Sequence, residues 1–558
     1  MSAPCTLSAE SAVSQPEADI NVSRSDRSVG LLRMVALTLS FALLLLVAVA
    51  GPSAARPGLG PRGWAPGNLP ISLSSAVVTA VLWTAYLLGA LAVAVGLWGG
   101  SGSGQSWSWR WPRPWVRTGH LLWPVALGAL ALLTAPIGSA DHTNYAAYGR
   151  IAAQGGDPYL VAPITWAGGA DPVTSAVEPP WTMTPSVYGP FGTALQTLSS
   201  LVGQDNLRQT VWVWQLLIVA AWLLVRFLLR RAAVDDVARA RVDVLWTANP
   251  VLFGVAVLGA HVDLIATALA LAAVSLAARR PWIAGLVLGA AVSTKITYGI
   301  VGLAILWSWR SLAPRPLVRN LIALAVSSLT VFVSLHVWAG PHVFEQLQKA
   351  GKGVSLATAW RPVVNLLSAA MPLDAARTVV SAASIVAVIV LAWVLSRLVP
   401  SRSATRQVSP IQQVPTTQQV PTTQQVPTTQ QISATQQISA TQQAQSAMTA
   451  TFVLATAYAL GAPYALPWYD VLTWATLPLL LATTLDGILL ARLTVMAMAY
   501  VPGRVVAMSP DVESLTLGFR KIVGPLAAWL VLLAIAGVAR RGWSRVPKAP
   551  RPSRPRAS

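Results

Sequence analysis

The stretch LLRMVALTLSFALLLLVAVA at residues 31–50, followed by SAVVTAVLWTAYLLGALAVAVGLW at 75–98, decides the fold. Each run is long enough to cross a bilayer core, which takes about 20 apolar residues. The first exceeds the apolar region of a secretory signal peptide, about 7–15 residues, so it reads as a retained span. Further along, the pattern repeats: 54% of the 558 residues are hydrophobic and 10% are charged. An average soluble domain carries roughly 25% charge. Ordinary soluble domains are excluded, and an all-α polytopic membrane protein is expected.

A net charge of +20 suggests nucleic acid until the positions of the charges are read. They form short clusters between apolar runs and in the tail from Arg540 to Arg556. That is the pattern of the positive-inside rule, not of a duplex-binding face, and no nucleic-acid partner is expected. The clusters in 99–119, 230–241 and 310–319 place those loops in the cytoplasm. The acidic loop 140–207, with Asp141, Asp157, Asp171, Glu178 and Asp205, belongs outside. An alternating bundle of roughly 12–14 spans satisfies these clusters with both termini inside. The expected spans are 31–50, 74–98, 121–139, 208–229, 243–260, 262–278, 281–294, 296–309, 318–339, 376–397, 447–466, 469–486, 488–501 and 521–539. The shorter ones at 281–294, 296–309 and 488–501 are candidates for broken or re-entrant segments.

Domain organisation follows from composition. Residues 1–30 read as a disordered cytoplasmic tail, 31–400 as the N-terminal membrane unit, 447–539 as C-terminal transmembrane helices, and 540–558 as a basic cytoplasmic tail. Between the units, 401–446 is low-complexity: the hexad QQVPTT occurs three times from Gln412, followed by QQISAT twice, ending at Thr441. The hexads lack charge and bulky apolar residues, and the segment reads as a flexible linker.

Several chemistries are excluded. There is no phosphate loop of the G-x-x-x-x-G-K-[ST] type, no H-E-x-x-H and no G-x-S-x-G. The single cysteine, Cys5, rules out an intramolecular disulfide and a Cys-rich metal site. The loop after the third span is more specific. Asp141 stands where an apolar helix leaves the membrane, a position costly for an ionisable side chain unless it lines a site or water. The alternative is a helix N-cap for 142–153. Tyr145, Tyr148 and Ile151 recur at helical spacing, which predicts a short amphipathic helix on the membrane surface. Lys295 interrupts GLVLGAAVSTKITYG, and either snorkels to the interface or meets an anion.

These residues resemble a family. The strings are Asp141…Tyr145…Tyr148-Gly149, Gly156-Asp157-Pro158-Tyr159, Pro185-Ser186-Val187-Tyr188-Gly189-Pro190, Asn249-Pro250, Gly259-Ala260-His261-Val262-Asp263, Ser293-Thr294-Lys295 and Leu466-Pro467-Trp468-Tyr469. In order and position they are similar to the GT-C superfamily of membrane glycosyltransferases with polyprenyl-phosphate sugar donors. More narrowly they resemble the actinobacterial polyprenol-phosphomannose-dependent α-1,6-mannosyltransferases of lipomannan and lipoarabinomannan assembly.

The resemblance implies a GT-C-type bundle at the plasma membrane, a large external catalytic loop at 140–207, and Asp141 as catalytic base. It implies a polyprenyl-phosphomannose donor and a lipid-linked mannan acceptor among membrane lipids, with no cofactor and no metal. Lys295 is the preferred contact for the donor phosphate, with Arg361 weaker. His261 and Asp263 either hold phosphate or acceptor hydroxyls or pair with each other. Tyr145, Tyr188, Trp468 and Tyr469 are candidate sugar or substrate contacts. The alternatives are a polyprenyl-phosphoarabinose-dependent transferase or, from another class, a secondary transporter or lipid flippase.

Overall fold

The structure is a computed structural model that describes residues 24–98, 113–399 and 428–544. It is all-helical, with no β-sheet among the described residues. Helices α1 (Arg24–Val49) and α2 (Ser75–Trp98) pack together, and α3 (Arg113–Leu132) follows. Then come α4 (Asp141–Ala153), α5 (Pro190–Gly203) and α6 (Leu207–Ala232). A bent pair, α7 (Asp236–Thr247) and α8 (Pro250–Leu258), meets at 41°. Next are α9 (Asp263–Ala277), α10 (Pro281–Thr294), α11 (Ile300–Ser308) and α12 (Pro314–Ala339). The short α13 (His342–Ala350) and α14 (Trp360–Leu367) lead into α15 (Leu373–Leu398). The last part holds α16 (Thr428–Gly461), α17 (Val471–Thr476), α18 (Thr484–Tyr500) and α19 (Pro510–Arg541).

Six helices, α1, α2, α6, α12, α15 and α19, are long and apolar enough to cross a membrane, and the bent pair makes a seventh if it counts as one span. Shorter apolar helices supply the expected segments at 262–278, 281–294 and 296–309. The chain is a polytopic membrane protein.

Sequence chemistry explains the breaks. At the bend, Asn249 caps α8 by accepting from the Leu252 N–H at 3.2 Å, and Pro250 opens it. In α10, Gly285 and Gly289 form a small-xxx-small face. A Cβ on Gly285 would meet Leu324 O at 2.5 Å, and one on Gly289 would meet Ser328 O at 2.6 Å, so α12 lies directly on this face. Helix α16 begins at Thr428, immediately after Pro427, the last proline of the VPTT hexads. The QQISAT repeats have no helix breaker. The linker expected over 401–446 is therefore helical from Thr428, while 400–427 lies outside the described residues. Helix α1 likewise starts at Arg24, within the tail expected to reach residue 30. The basic segment 545–558 lies outside the described residues.

Two expectations are corrected. The segment 469–486 is not one span: Pro467–Asp470 and Leu477–Leu479 are 3-10 turns either side of α17, and Pro478 interrupts the ladder. Such irregular backbone is tolerated at depth only inside protein, and this segment is almost wholly buried. Helix α4 is not a surface helix either. Its residues His142 to Gly149 are all buried, and a Cβ on Gly149 would stand 2.2 Å from Gln196 O of α5. The rest of the 140–207 loop covers it.

Candidate functional site

Asp141 is the first residue of α4. The chain entering it is fixed by the Ile137 N–H donating to Leu258 O and the Gly138 N–H donating to Ala55 O, both at 2.8 Å. The N-cap position belongs to Ala140, and no side chain caps this helix. The carboxylate of Asp141 is therefore free of the capping role. It faces His261 instead, with Oδ2 3.4 Å from the imidazole Nδ1, and remains 17% exposed.

His261 and Asp263 sit in the turn between α8 and α9, where Ala260 takes a left-handed φ of 54°. The Ala260 carbonyl accepts from Trp214 Nε1 at 2.8 Å, which fixes the turn against α6. His261 and Asp263 do not pair with each other. Asp263, 3% exposed, accepts from Lys295 Nζ at 2.5 Å. Its backbone carbonyl accepts from Tyr298 Oη at 2.9 Å. Lys295 ends α10, where the Gly189 N–H donates to Thr294 O at 3.0 Å and brings the Tyr188 loop alongside.

One tetrapeptide from the C-terminal unit supports both halves of this arrangement. Trp468 stacks on the His261 ring, with centroids 3.5 Å apart and planes 12° apart. Its neighbour Tyr469 lies under the Lys295 ammonium, 3.3 Å from ring centroid to Nζ. Trp468 thus gives one face to histidine. The turn is held by Asp470, which takes two hydrogen bonds from Arg492, each 3.1 Å.

A small, half-open cleft lies beside Lys295, between α9, α11 and α16. Asp263, Lys295 and Thr297 form its polar wall, and Ile300, Ala455 and Leu472 its apolar wall. Asp141 lies within electrostatic reach of Lys295, Tyr145, Tyr188 and Tyr469. Tyr145 and Tyr188 are in edge contact at 5.0 Å, and Tyr145 packs on Trp214 at 5.1 Å. They form a wall behind Asp141. Arg361 stands apart at the start of α14, half-buried, with no side-chain hydrogen bond or ion pair among the described residues. Its segment is tied to the approach to Trp468: Trp360 Nε1 donates to Gly461 O at 2.7 Å.

The covering loop has its own electrostatics. His142, beside Asp141, is pushed down to about 3 by burial and then by the charges of Arg56, His261 and Arg504, so it is neutral. Burial alone would raise the Asp171 carboxyl. The Thr174 N–H and the Arg150 guanidinium, 2.8 Å away, hold it below its usual value instead. Asp157 makes a turn, accepting from the Tyr159 N–H at 2.8 Å, and also meets His342 Nδ1 at 2.7 Å.

Sequence reasoning passed over Tyr298, Asp470 and Arg492. For Arg492 a signal existed, a charge within the apolar run ILLARLTVMAM.

The bundle defines a class, all-α polytopic membrane proteins. Residues 37–313 match the family described as alpha-(1->6)-mannopyranosyltransferase, N-terminal domain, and this part of the chain belongs to that family. It is 28% identical over 229 residues to alpha-(1->6)-mannopyranosyltransferase A of Mycobacterium tuberculosis, covering 39% of this chain and 42% of that one. Similarity to a probable alpha-(1->6)-mannopyranosyltransferase of Mycolicibacterium smegmatis is 34% identity over 167 residues, 28% of each chain. For alpha-(1->6)-mannopyranosyltransferase B of Corynebacterium glutamicum it is 29% over 153 residues, 25% of each. The match thus spans less than half the length of these relatives. No solved structure gives a significant match.

Proposed function

We propose that the protein transfers mannose from a polyprenyl-phosphomannose donor to a mannan acceptor, forming an α-1,6 linkage at the outer face of the plasma membrane. The observation that carries this reading is the uncapped, partly exposed Asp141 carboxylate within reach of the Lys295 cleft. Asp141 takes the proton of an acceptor hydroxyl as that oxygen bonds to C1 of the donor mannose. The C1–O bond to phosphate breaks on the opposite face, and polyprenyl phosphate departs with the electron pair. Lys295 shares its ammonium between Asp263 and the leaving phosphate, whose charge it stabilises. One displacement inverts a β-linked donor to an α-linked product. A single carboxylate suffices because phosphate is a good leaving group, unlike the alkoxide of glycoside hydrolysis. The apolar wall of the cleft accommodates the start of the prenyl chain, and the covering loop positions the sugar.

The test uses the purified chain in lipid nanodiscs with labelled polyprenyl-phosphomannose and a short mannoside. Formation of an α-linked mannoside extended by one residue supports the reading. Transfer only from polyprenyl-phosphoarabinose would contradict the donor. Movement of intact lipid across the bilayer with no new glycosidic bond would contradict the enzyme.

A further inference from the structure

The geometry points to His261 as the residue that positions the Asp141 carboxylate. This rests on the reading of Asp141 as base and adds a role that the turn sequence alone left open. Among the described residues Asp141 has one close side-chain partner, His261 Nδ1 at 3.4 Å. The ring is 2% exposed, and Nδ1 has no hydrogen-bond partner among the described residues. A buried donor without a partner costs free energy, so something must hold the ring in place.

Three contacts do so. Trp468 covers one face at 3.5 Å. Gly259 leaves room for the far edge: a Cβ there would stand 2.7 Å from Cδ2 and 2.8 Å from Nε2. Ala260, with its left-handed φ and its carbonyl bonded to Trp214, sets the direction in which the side chain leaves the turn. The supports are themselves anchored, Trp468 through the Asp470–Arg492 pair. The ring is therefore held on these sides, and its buried Nδ1 is the nitrogen that lies next to Asp141. At 3.4 Å the contact is longer than a hydrogen bond, as catalytic contacts often are before substrate arrives. With the proton on Nδ1, His261 donates to the carboxylate and fixes its rotamer.

Purified wild type, His261→Leu, His261→Asn and Asp141→Asn are compared in the transfer assay across pH. The expected result for His261→Leu is a kcat lower by about ten- to a hundredfold, the cost of a misaimed group. KM for both substrates stays within about twofold, because His261 acts through Asp141 rather than on substrate. The acidic limb of its kcat/KM profile moves to higher pH, since the ionised carboxylate has lost a donor. His261→Asn, whose amide N–H sits near the Nδ1 position, recovers about a third or more of kcat and the wild-type limb.

A donor KM that rises while kcat holds, an acidic limb that does not move, or equal losses in the Leu and Asn variants would overturn the proposal. Activity in Asp141→Asn would remove the base reading, and the positioning role with it. An inactive Asp141→Asn beside a wild-type His261→Leu would overturn the positioning role alone. Should His261→Leu fail to fold, Trp468→Leu frees the ring from the other side, and the same kcat loss and pH shift are expected.

Discussion

Two kinds of buried pair coexist in this bundle, and they differ in what is left over once the pair has formed. Arg241 with Asp486 and Arg492 with Asp470 are two-point contacts, and no partner is more than 8% exposed. Each arginine spends a further N–H on a backbone carbonyl, Leu477 or Ala459. Asp141 with His261 and Lys295 with Asp263 are single-point contacts. In each, one member keeps an open side, Asp141 at 17% and Lys295 at 16% exposure. A closed pair has no capacity for a ligand and serves to hold helices together. An open pair can exchange a partner, which is what binding and proton transfer require. Burial of charge by itself therefore does not mark the site; incomplete pairing does.

The comparison breaks most visibly at a closed pair. Arg241→Leu leaves Asp486 buried without its cation and is expected to lower stability by about 3–5 kcal/mol. The readout is thermal unfolding in detergent. Adding Asp486→Leu should restore much of the loss, because an apolar pair of similar volume replaces a charged one. If the single variant melts like wild type, the pair is not a staple.

The neutral His142 sharpens the contrast, since it sits beside Asp141 yet cannot titrate with solvent. The unfolded chain takes up a proton on this histidine below about pH 6.5, while the folded chain does not until about pH 3. Its stabilising contribution is present above pH 6.5 and is lost as the pH falls. Between pH 6.5 and 5 the loss is on the order of 2 kcal/mol. His142→Phe should flatten that slope in melts recorded across the range. A variant with the same slope as wild type would show that His142 is not the group responsible.

At the open pair, Lys295→Ala should raise KM for the lipid donor by about tenfold and leave the acceptor KM within about twofold. Lys295→Arg should keep part of the function, since its charge remains while its geometry changes. An effect on acceptor KM alone would take Lys295 off the phosphate.

Much of this was legible from the sequence for one reason: charges and helix breakers stand out within apolar runs. Asp141 and Lys295 stood out that way, whereas the bend at Asn249-Pro250 was read through as one span, 243–260. Partner identity was not legible. His261 and Asp263 are two residues apart, but the left-handed turn at Ala260 and the start of α9 send them to different partners. The burial of α4 could not be read either, because its apolar spacing fits a membrane surface as well as a covering loop. The break after Asp470 was hidden by the apolar run around it, which length alone reads as a span.

The account stands most directly on Asp141. The decisive measurement is the transfer rate of purified Asp141→Asn beside wild type, with matched melting curves to show that both fold. The amide keeps the size of the carboxyl but cannot take a proton, so the rate should fall by about 10²–10⁴-fold with the melting temperature unchanged. A rate within a few-fold of wild type would contradict the assignment of Asp141 as the base.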